Sequence, residues 1–390
     1  MDMQLQQVYQ EYEAGKREGR TSEWLEDILK RYQGRTFLYG AGNAGGEFLK
    51  CLRNAGFYPI MFADSNEAKY KTVAGGLLIT SVKEIKERFG EDVLFIVTVY
   101  DIDKLYKEIK GNLHSLGFIN VMHFAEFRNY SPLFTAQNNL HFIGLDIDEI
   151  IKNKESIAKA YEALEDEESR KVFLSVLRFR LLSEWQPIPV LQASKQYFDY
   201  DIYKKTSNEY FIDCGAFDGD TMEAFIASTE KSFEKYCAFE PDQANAHKIN
   251  EKILNIYPDL KEKLKVYPNA VLDKKCTVYF DEQGTSNSHI SDKNDNAIEA
   301  VDLDSTLLGE HPTFIKMDVE GSEIKALKGT EKIIKDNKPV LGICTYHRTE
   351  DLWEIPLYIK ALNPEYKLYL RSYYGFIENV CYAVPSNREV

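Results

Sequence analysis

What this sequence lacks removes several classes of function at once. Its six cysteines, Cys51, Cys214, Cys237, Cys276, Cys344 and Cys381, stand singly, so there is no CxxC knuckle or dithiol pair. Most lie in apolar, strand-like runs where a thiol behaves as a small hydrophobe, and a reducing, cytoplasmic setting is expected. No apolar run reaches the ~20 residues that cross a bilayer, and Met1 to Tyr12 is polar rather than signal-like. A soluble chain with no membrane insertion is the expectation. Basic clusters are missing too. With 62 acids against 48 Lys plus Arg the net charge is −14, which repels a polyanion and argues against nucleic acid as a partner.

What is present suffices for two or three domains: 390 residues, 44% of them hydrophobic. The most informative stretch is Tyr210–Thr221. A short apolar run ends in Asp213, a turn carries Gly215, Ala216 and Gly219, and Asp220-Thr221 opens a helix. This is the order strand, tight loop, helix N-terminus. The loop lacks the Lys-Ser/Thr of a phosphate-cradling P-loop, and Asp213, Asp218 and Asp220 would repel a pyrophosphate. The same acids suit a ligand with an ammonium group and ribose hydroxyls, as S-adenosylmethionine has. On loop chemistry alone a ligand-free glycine turn stays open, but the next strand favours a ligand. Tyr236–Phe239 runs into Glu240-Pro241, and Glu240 lies about 27 residues after Asp213, near the ~20-residue spacing at which an acid meets a ribose diol in doubly wound folds.

A second glycine loop lies earlier. Gln4 to Arg31 reads as an amphipathic lead-in, with Leu25, Ile28 and Leu29 at helical spacing. The strand Arg35–Tyr39 then enters Gly40-Ala41-Gly42-Asn43-Ala44-Gly45, a full GxGxxG before an amphipathic helix. A second strand, Pro59–Ala63, ends at Asp64. Further strands are expected at Leu77–Thr80, Val93–Val99 and Phe118–His123, with helices at Val82–Arg88 and Asp103–Leu116. Residues 34–129 thus read as a small Rossmann-like unit. Because such glycines also serve strand–helix packing, a bound nucleotide and a packing-only unit both stay open. Residues 130–205 read as a helical connector: Ile150 to Leu182 has helical periodicity, and Pro187 and Pro189 close it. Tyr197 follows, either in the core or in a lid over the central site.

Residues 206–390 continue the central domain. A helix from Gln243 to Ile256 precedes Leu264–Tyr267 and Pro268-Asn269-Ala270-Val271, where Asn269 offers polar groups to an adenine edge beside an apolar wall. Cys276–Phe280 reads as a strand and Gly284–Ser288 as a polar loop. Phe314–Met317 delivers Asp318 to its C-terminal end, with Glu320 just beyond and Ser322-Glu323 arranged to cap the next helix. Pro339–Tyr346 leads to His347. Tyr366–Arg371 and Glu378–Val384 close the sheet as a strand pair turned near Gly375. The expected fold class is α/β, with two Rossmann-like doubly wound domains joined by a helical segment: 1–33 lead-in, 34–129, 130–205 connector and 206–390.

Four stretches together, Phe211–Thr221, Ala238–Asp242, Phe314–Glu323 with Ala326-Leu327-Lys328-Gly329, and Tyr346–Pro356, make the region from about 190 to 385 resemble a class I S-adenosylmethionine-dependent methyltransferase of the FkbM family. The resemblance implies that the final strands form the antiparallel pair of that fold. It implies that Asp213, Gly215, Gly219 and Thr221 surround the methionine portion of the cofactor, with Ala216 in the same loop. It further places Glu240 and Pro241 at the ribose, Asn269 with Ala270 near the adenine, and Asp318 beside the methyl donor. Where similar chains often carry Arg-His-Tyr, this one has Arg371-Ser372-Tyr373, so a contribution of that His to acceptor binding is not carried over. The 34–129 unit resembles nucleotide-binding domains found beside sugar-modifying enzymes. That likeness implies a nucleotide or nucleotide-sugar at Gly40, Gly42, Asn43, Ala44 and Gly45, with Asp64 near a ribose.

Methylation of a hydroxyl needs positioning and a base within hydrogen-bond reach. His347 and Asp318, from neighbouring strand ends, are the candidates, with Glu320 third; a purely structural hydrogen bond is the alternative for His347. An Asp/Glu/His cluster also has the ligand types for a divalent cation, but no metal is predicted. The expected function is an O-methyltransferase acting on a sugar, nucleotide-linked in one reading, or on another small hydroxylated metabolite, with a homo-oligomer left open. The rival is a binding or scaffolding protein with a methyltransferase fold and no turnover.

Overall fold

The computed structural model describes residues 2–17, 22–99, 104–129, 147–182, 191, 195–281, 289–290, 297–374 and 377–390. The expected loop at 284–288, the prolines at 187 and 189 and the turn at 375 lie outside these. The chain divides into two compact units, Met1–Asp148 with Leu174–Pro187, and Glu149–Phe173 with Ile188–Val390. Among the described residues no helix is long and apolar enough to cross a membrane.

The first unit opens with helices α1 (Met3–Arg17) and α2 (Ser22–Arg31). Leu25 and Leu29 of α2 are buried, as their spacing requires. Then come β1 (Thr36–Tyr39), α3 (Asn43–Asn54), β2 (Met61–Ala63), β3 (Val73–Ala74), β4 (Leu77–Thr80), α4 (Val82–Phe89), β5 (Leu94–Val97), α5 (Leu105–Ser115) and β6 (Asn120–His123). Helix α4 starts where Ser81 accepts the Glu84 N–H and stops at Gly90, whose φ is +74°. The sheet order is β3-β4-β2-β1-β5-β6. All pairs except β3–β4 are parallel. Strands β1, β2 and β4 wind to one side and β5 and β6 to the other, the doubly wound arrangement.

Helices α6 (Ile147–Lys152), α7 (Lys154–Glu162) and α8 (Glu167–Leu182) follow, and divisions between the units fall within α6 and within α8. The second unit then carries β7 (Tyr210–Cys214), α9 (Asp220–Ser228), β8 (Lys235–Phe239), α10 (Gln243–Asn255) and β9 (Leu264–Tyr267). Four short strands, β10 (Ala270–Val271), β11 (Cys276–Asp281), β12 (His289–Ile290) and β13 (Ala297–Val301), form a sheet of their own in the order β10-β13-β11-β12. After α11 (Leu303–Thr306) come β14 (Phe314–Met317), α12 (Glu323–Lys328), α13 (Glu331–Asn337), β15 (Val340–Cys344), α14 (Asp351–Leu362), β16 (Lys367–Tyr374) and β17 (Ile377–Val384).

The main sheet reads β16-β17-β15-β14-β7-β8-β9, with β17 antiparallel to both neighbours and the other pairs parallel. This is an α/β fold with a terminal antiparallel pair. Register explains its core. Phe211 lies opposite Tyr236 on one side and Phe314 on the other, and the rings stack at 5.5 Å and 4.7 Å. One expected helix after Asp318 is two, α12 and α13. The break falls at Gly329, where a Cβ would sit 2.0 Å from the Leu272 carbonyl oxygen, a close approach only glycine permits.

Candidate active site

Winding in the main sheet reverses between β7 and β14, and in such sheets ligands bind where the strands at the reversal end. Gly215 follows β7 and Asp318 follows β14. A Cβ on Gly215 would lie 1.9 Å from the Asp318 carbonyl oxygen, and its φ is +83°, so glycine is required for the two loops to touch. Gly219, with φ +87°, is the left-handed residue before α9. The N–H groups of Gly215 and Ala216 donate to the Phe239 carbonyl at 2.9 Å and 3.2 Å. Thr221 is buried in the first turn of α9, its N–H donating to Asp220 at 2.7 Å. Asp218 lies 3.8 Å from Lys252.

Asp213 sits beneath this loop, not on its surface. It is fully buried opposite Lys316 in register, accepts from the Lys316 ammonium at 2.7 Å, and accepts from the Tyr236 hydroxyl. Burial raises its carboxyl, and Lys316 and Tyr236 pull it back down. Lys316 also donates to the Gly215 carbonyl at 2.6 Å. The pair is thus a buried bracket under the glycine loop. Glu240 braces the loop from β8: Oε2 accepts the Phe217 N–H and Oε1 the Asp242 N–H, each at 2.8 Å. Burial pushes its carboxyl up to about 7, against the lowering effect of those two donors. Each oxygen retains a lone pair for a ligand hydroxyl. Pro241 beside it is half-buried. Asn269 stands half-buried between β9 and β10 with its amide donating to the Glu299 carbonyl at 3.2 Å, and Ala270 is buried.

Across the reversal point the structure brings Asp318, Glu320 and His347 together. His347 Nε2 lies 3.4 Å from Asp318 Oδ1 and 3.6 Å from Glu320 Oε2, while Nδ1 lies 2.8 Å from Glu323 Oε1. Glu320 has φ +52° and Gly321 φ +89°, a left-handed turn that is strained at a glutamate and directs its side chain toward the histidine. Desolvation opposes charge on His347, but Glu323, Glu320 and Asp318 overcome it and raise the imidazole to about 10. Burial raises Glu320 to about 7, with His347 opposing and Asp318 adding to the rise. Tyr346 donates to Asp318 Oδ1 at 3.2 Å.

Some residues of this site carried no usable signal. Lys316 reads as an ordinary strand residue until register sets it opposite Asp213. Glu323 was expected to cap a helix, yet Ser322 makes no side-chain cap, and Glu323 Oε1 instead accepts the Val319 N–H and faces His347. Tyr197 is a core residue: it is buried, its N–H donates to the Tyr382 hydroxyl at 2.8 Å, and its own hydroxyl meets Cys344 Sγ at 3.3 Å.

In the first unit, Gly40 has φ +107° and Gly45 packs so closely that a Cβ would lie 2.1 Å from the Gly40 carbonyl oxygen. Asn43 and Ala44 open α3 after Gly42, which has open space where a side chain would be. Asp64 accepts the Ala41 and Asn66 N–H groups at 2.9 Å and pairs with Lys69 at 2.9 Å.

A family model described as Methyltransferase FkbM domain matches residues 213–376. No curated protein matches the sequence. Among solved structures, methyltransferase FkbM from Methylobacillus flagellatus KT is 22% identical with a TM-score of 0.77, covering 92% of this chain and 92% of that one; at that identity the likeness shows the fold. An rRNA methylase from Streptococcus thermophilus is 14% identical over 48% of this chain and 92% of that one, with a TM-score of 0.31. A methyltransferase from Geobacter sulfurreducens is 10% identical over 60% and 96%, with a TM-score of 0.29. These two bear no further weight. Residues 213–376, whose two central loops meet at Gly215 and Asp318, are the part of the chain that matches the methyltransferase FkbM domain model.

Proposed function

We propose that this protein is an S-adenosylmethionine-dependent O-methyltransferase whose acceptor is a sugar or another small hydroxylated metabolite. The observation that carries the reading is the Asp318–Glu320–His347 cluster, set across the sheet's reversal point from a glycine loop braced by Glu240. The donor set fits the cofactor: Glu240 keeps acceptor capacity for a ribose diol, Asp218 and Asp220 favour a ligand bearing positive charge, and Gly215 and Gly219 hold the loop open at φ values that other residues resist. When bound, the cofactor supplies a methyl group on a positively charged sulfur.

The chain's own residues orient the acceptor and take its proton. Without an ion bound, His347 is charged at neutral pH among its three carboxylates, so its role is to hold them in place. In that same ion-free state Glu320, raised to about 7, has the affinity suited to accepting a hydroxyl proton. The glycine loop at Gly40–Gly45 in the 34–129 unit is the reason to prefer a nucleotide-linked sugar, and the same boundaries divide the chain into its functional parts. Six free cysteines, five of them buried, favour the cytoplasm.

Calorimetric titration with S-adenosylhomocysteine tests the cofactor, with Glu240→Ala as the comparison. Micromolar binding that weakens at least tenfold in the variant is expected; methyl transfer to a panel of sugars and nucleotide-sugars then finds the acceptor. A folded protein that binds no S-adenosylhomocysteine overturns the reading and leaves the scaffold alternative.

A further inference from the structure

We propose that Asp318, Glu320 and His347 form a divalent-cation site of the kind that takes Mn²⁺ or Zn²⁺. One ligand atom from each lies within 4.8 Å of the others. A cation about 2.1 Å from each atom separates neighbouring ligands by about 3.0 Å in octahedral geometry and about 3.4 Å in tetrahedral geometry. The observed 3.4 Å and 3.6 Å from His347 Nε2 to the two carboxylates are already near those spacings. Small side-chain rotations complete the set.

The second observation is the imidazole itself. The His347 side chain is 6% exposed, and Nε2 is buried with no hydrogen-bond partner, although two carboxylate oxygens face it. A buried, charge-assisted hydrogen bond closes to about 2.7–2.9 Å. At 3.4 Å and 3.6 Å neither has formed, and the nitrogen is aimed into the gap between the oxygens.

The surroundings match a metal-bound histidine. Such a residue usually gives its other ring N–H to a carboxylate, which fixes its tautomer. Here Nδ1 faces Glu323 Oε1 at 2.8 Å, and that oxygen is itself held by the Val319 N–H at 2.9 Å. The Tyr346 hydroxyl supports Asp318 in the same way. The left-handed Glu320-Gly321 turn gives the strained backbone a purpose, because it brings the third ligand round to the histidine. Asp318 and Glu320 are 25% and 33% exposed, so the remaining coordination positions open outward, as in sites where a substrate oxygen completes the shell. One imidazole with two carboxylates suits first-row divalent ions better than Ca²⁺, which prefers oxygen alone. Acidification of an acceptor hydroxyl by this ion rests on the methyltransferase reading; binding of the ion does not.

Equilibrium dialysis of the full chain against Mn²⁺ or Zn²⁺, with bound metal measured by emission spectrometry, tests the site. One equivalent of either ion is expected, with affinity at least tenfold weaker in Glu320→Gln and in His347→Ala, and unchanged in Glu299→Gln. Glu320→Gln keeps the side-chain shape at a partly exposed turn, so it serves even if the buried His347→Ala variant fails to fold. Each preparation is also titrated with S-adenosylhomocysteine. Absent uptake of both ions, or uptake indifferent to Glu320→Gln, overturns the site whether or not S-adenosylhomocysteine binds. Stoichiometric, variant-sensitive uptake without S-adenosylhomocysteine binding upholds the site and overturns the methyltransferase reading instead.

Discussion

Replacing Lys316 by Met should uncouple the bracket beneath the glycine loop. The side chains of Asp213 and Lys316 are 0% and 4% exposed, and their charged atoms are 2.7 Å apart. Met keeps much of the volume of Lys but donates nothing, so Asp213 retains only the Tyr236 hydroxyl, and the Gly215 carbonyl loses its 2.6 Å donor. Removing one partner of a buried ion pair costs about 3–5 kcal/mol, because the other charge is left uncompensated in a poorly polarisable interior. About 3 kcal/mol is expected at pH 7, since the tyrosine remains. Asp213 is already raised by burial, and without Lys316 it rises further above its unfolded value of about 3.9. An acid raised in the folded state contributes fully below its unfolded pKa and loses that contribution as pH climbs through the folded one. The deficit of Lys316→Met should therefore grow from pH 4 to pH 7. Adding Asp213→Asn removes both charges, and the double variant should recover to within about 1.5 kcal/mol of wild type. A chain of two compact units need not unfold in one step, so the assay is denaturant-dependent hydrogen exchange of peptides covering 210–217 and 313–318. A single-variant deficit below about 1 kcal/mol, or a double variant equal to the sum of the singles, would refute the bracket.

Three further outcomes follow from the same geometry. Gly215→Ala puts a Cβ 1.9 Å from the Asp318 carbonyl at φ +83°, so it should cost at least about 2 kcal/mol and abolish S-adenosylhomocysteine binding by calorimetry; wild-type affinity would contradict the contact. Glu240, raised to about 7, loses folding stability as pH rises from about 4.5 to 7, yet its ionised form is the stronger acceptor for a diol. Affinity for S-adenosylhomocysteine should thus increase through pH 7 and be flat in Glu240→Gln, and a flat wild-type profile would remove Glu240 from the ribose. Glu323→Gln should weaken Mn²⁺ or Zn²⁺ uptake tenfold or more in dialysis, with unchanged uptake showing that the carboxylate does not orient His347.

The strand-ending acids made the second unit legible. Asp213, Glu240 and Asp318 each close an apolar run, and the turns after them sit where the sheet order puts strand ends. Period and turn chemistry are local, so β7, β8, β14 and β15 were readable one at a time. What joins them is not local. Lys316 lies about 100 residues from Asp213 in sequence, and nothing in Phe314-Ile315-Lys316-Met317 marks a lysine that points inward until Phe314 is paired with Phe211. The four-stranded sheet was mostly missed because strands of two residues, such as Ala270–Val271 and His289–Ile290, carry no period. The helix after Asp318 was read as running through Gly329, and only the nearby Leu272 carbonyl shows that the chain must come too close there for any residue but glycine.

The acids of this unit have the same chemistry and do three different things, and burial with donor count separates them. Asp213 has a buried cation and a hydroxyl, which together satisfy it, so it builds the loop from below. Glu240 and Glu323 accept backbone N–H groups, at 2.8 Å and 2.9 Å respectively, and each keeps further acceptor capacity, in one case for the diol we propose and in the other toward the His347 ring. Asp318 and Glu320 are partly exposed and converge on a nitrogen without a hydrogen bond. A carboxylate spent on backbone donors is held rigid and is poorly placed to move a proton, whereas one facing an unsatisfied nitrogen and solvent can bind or exchange. On the proposed reading the reactive chemistry of the unit lies at the Asp318–Glu320 turn, and a variant there should alter ligand or ion binding while leaving the exchange protection of β7 and β14 intact.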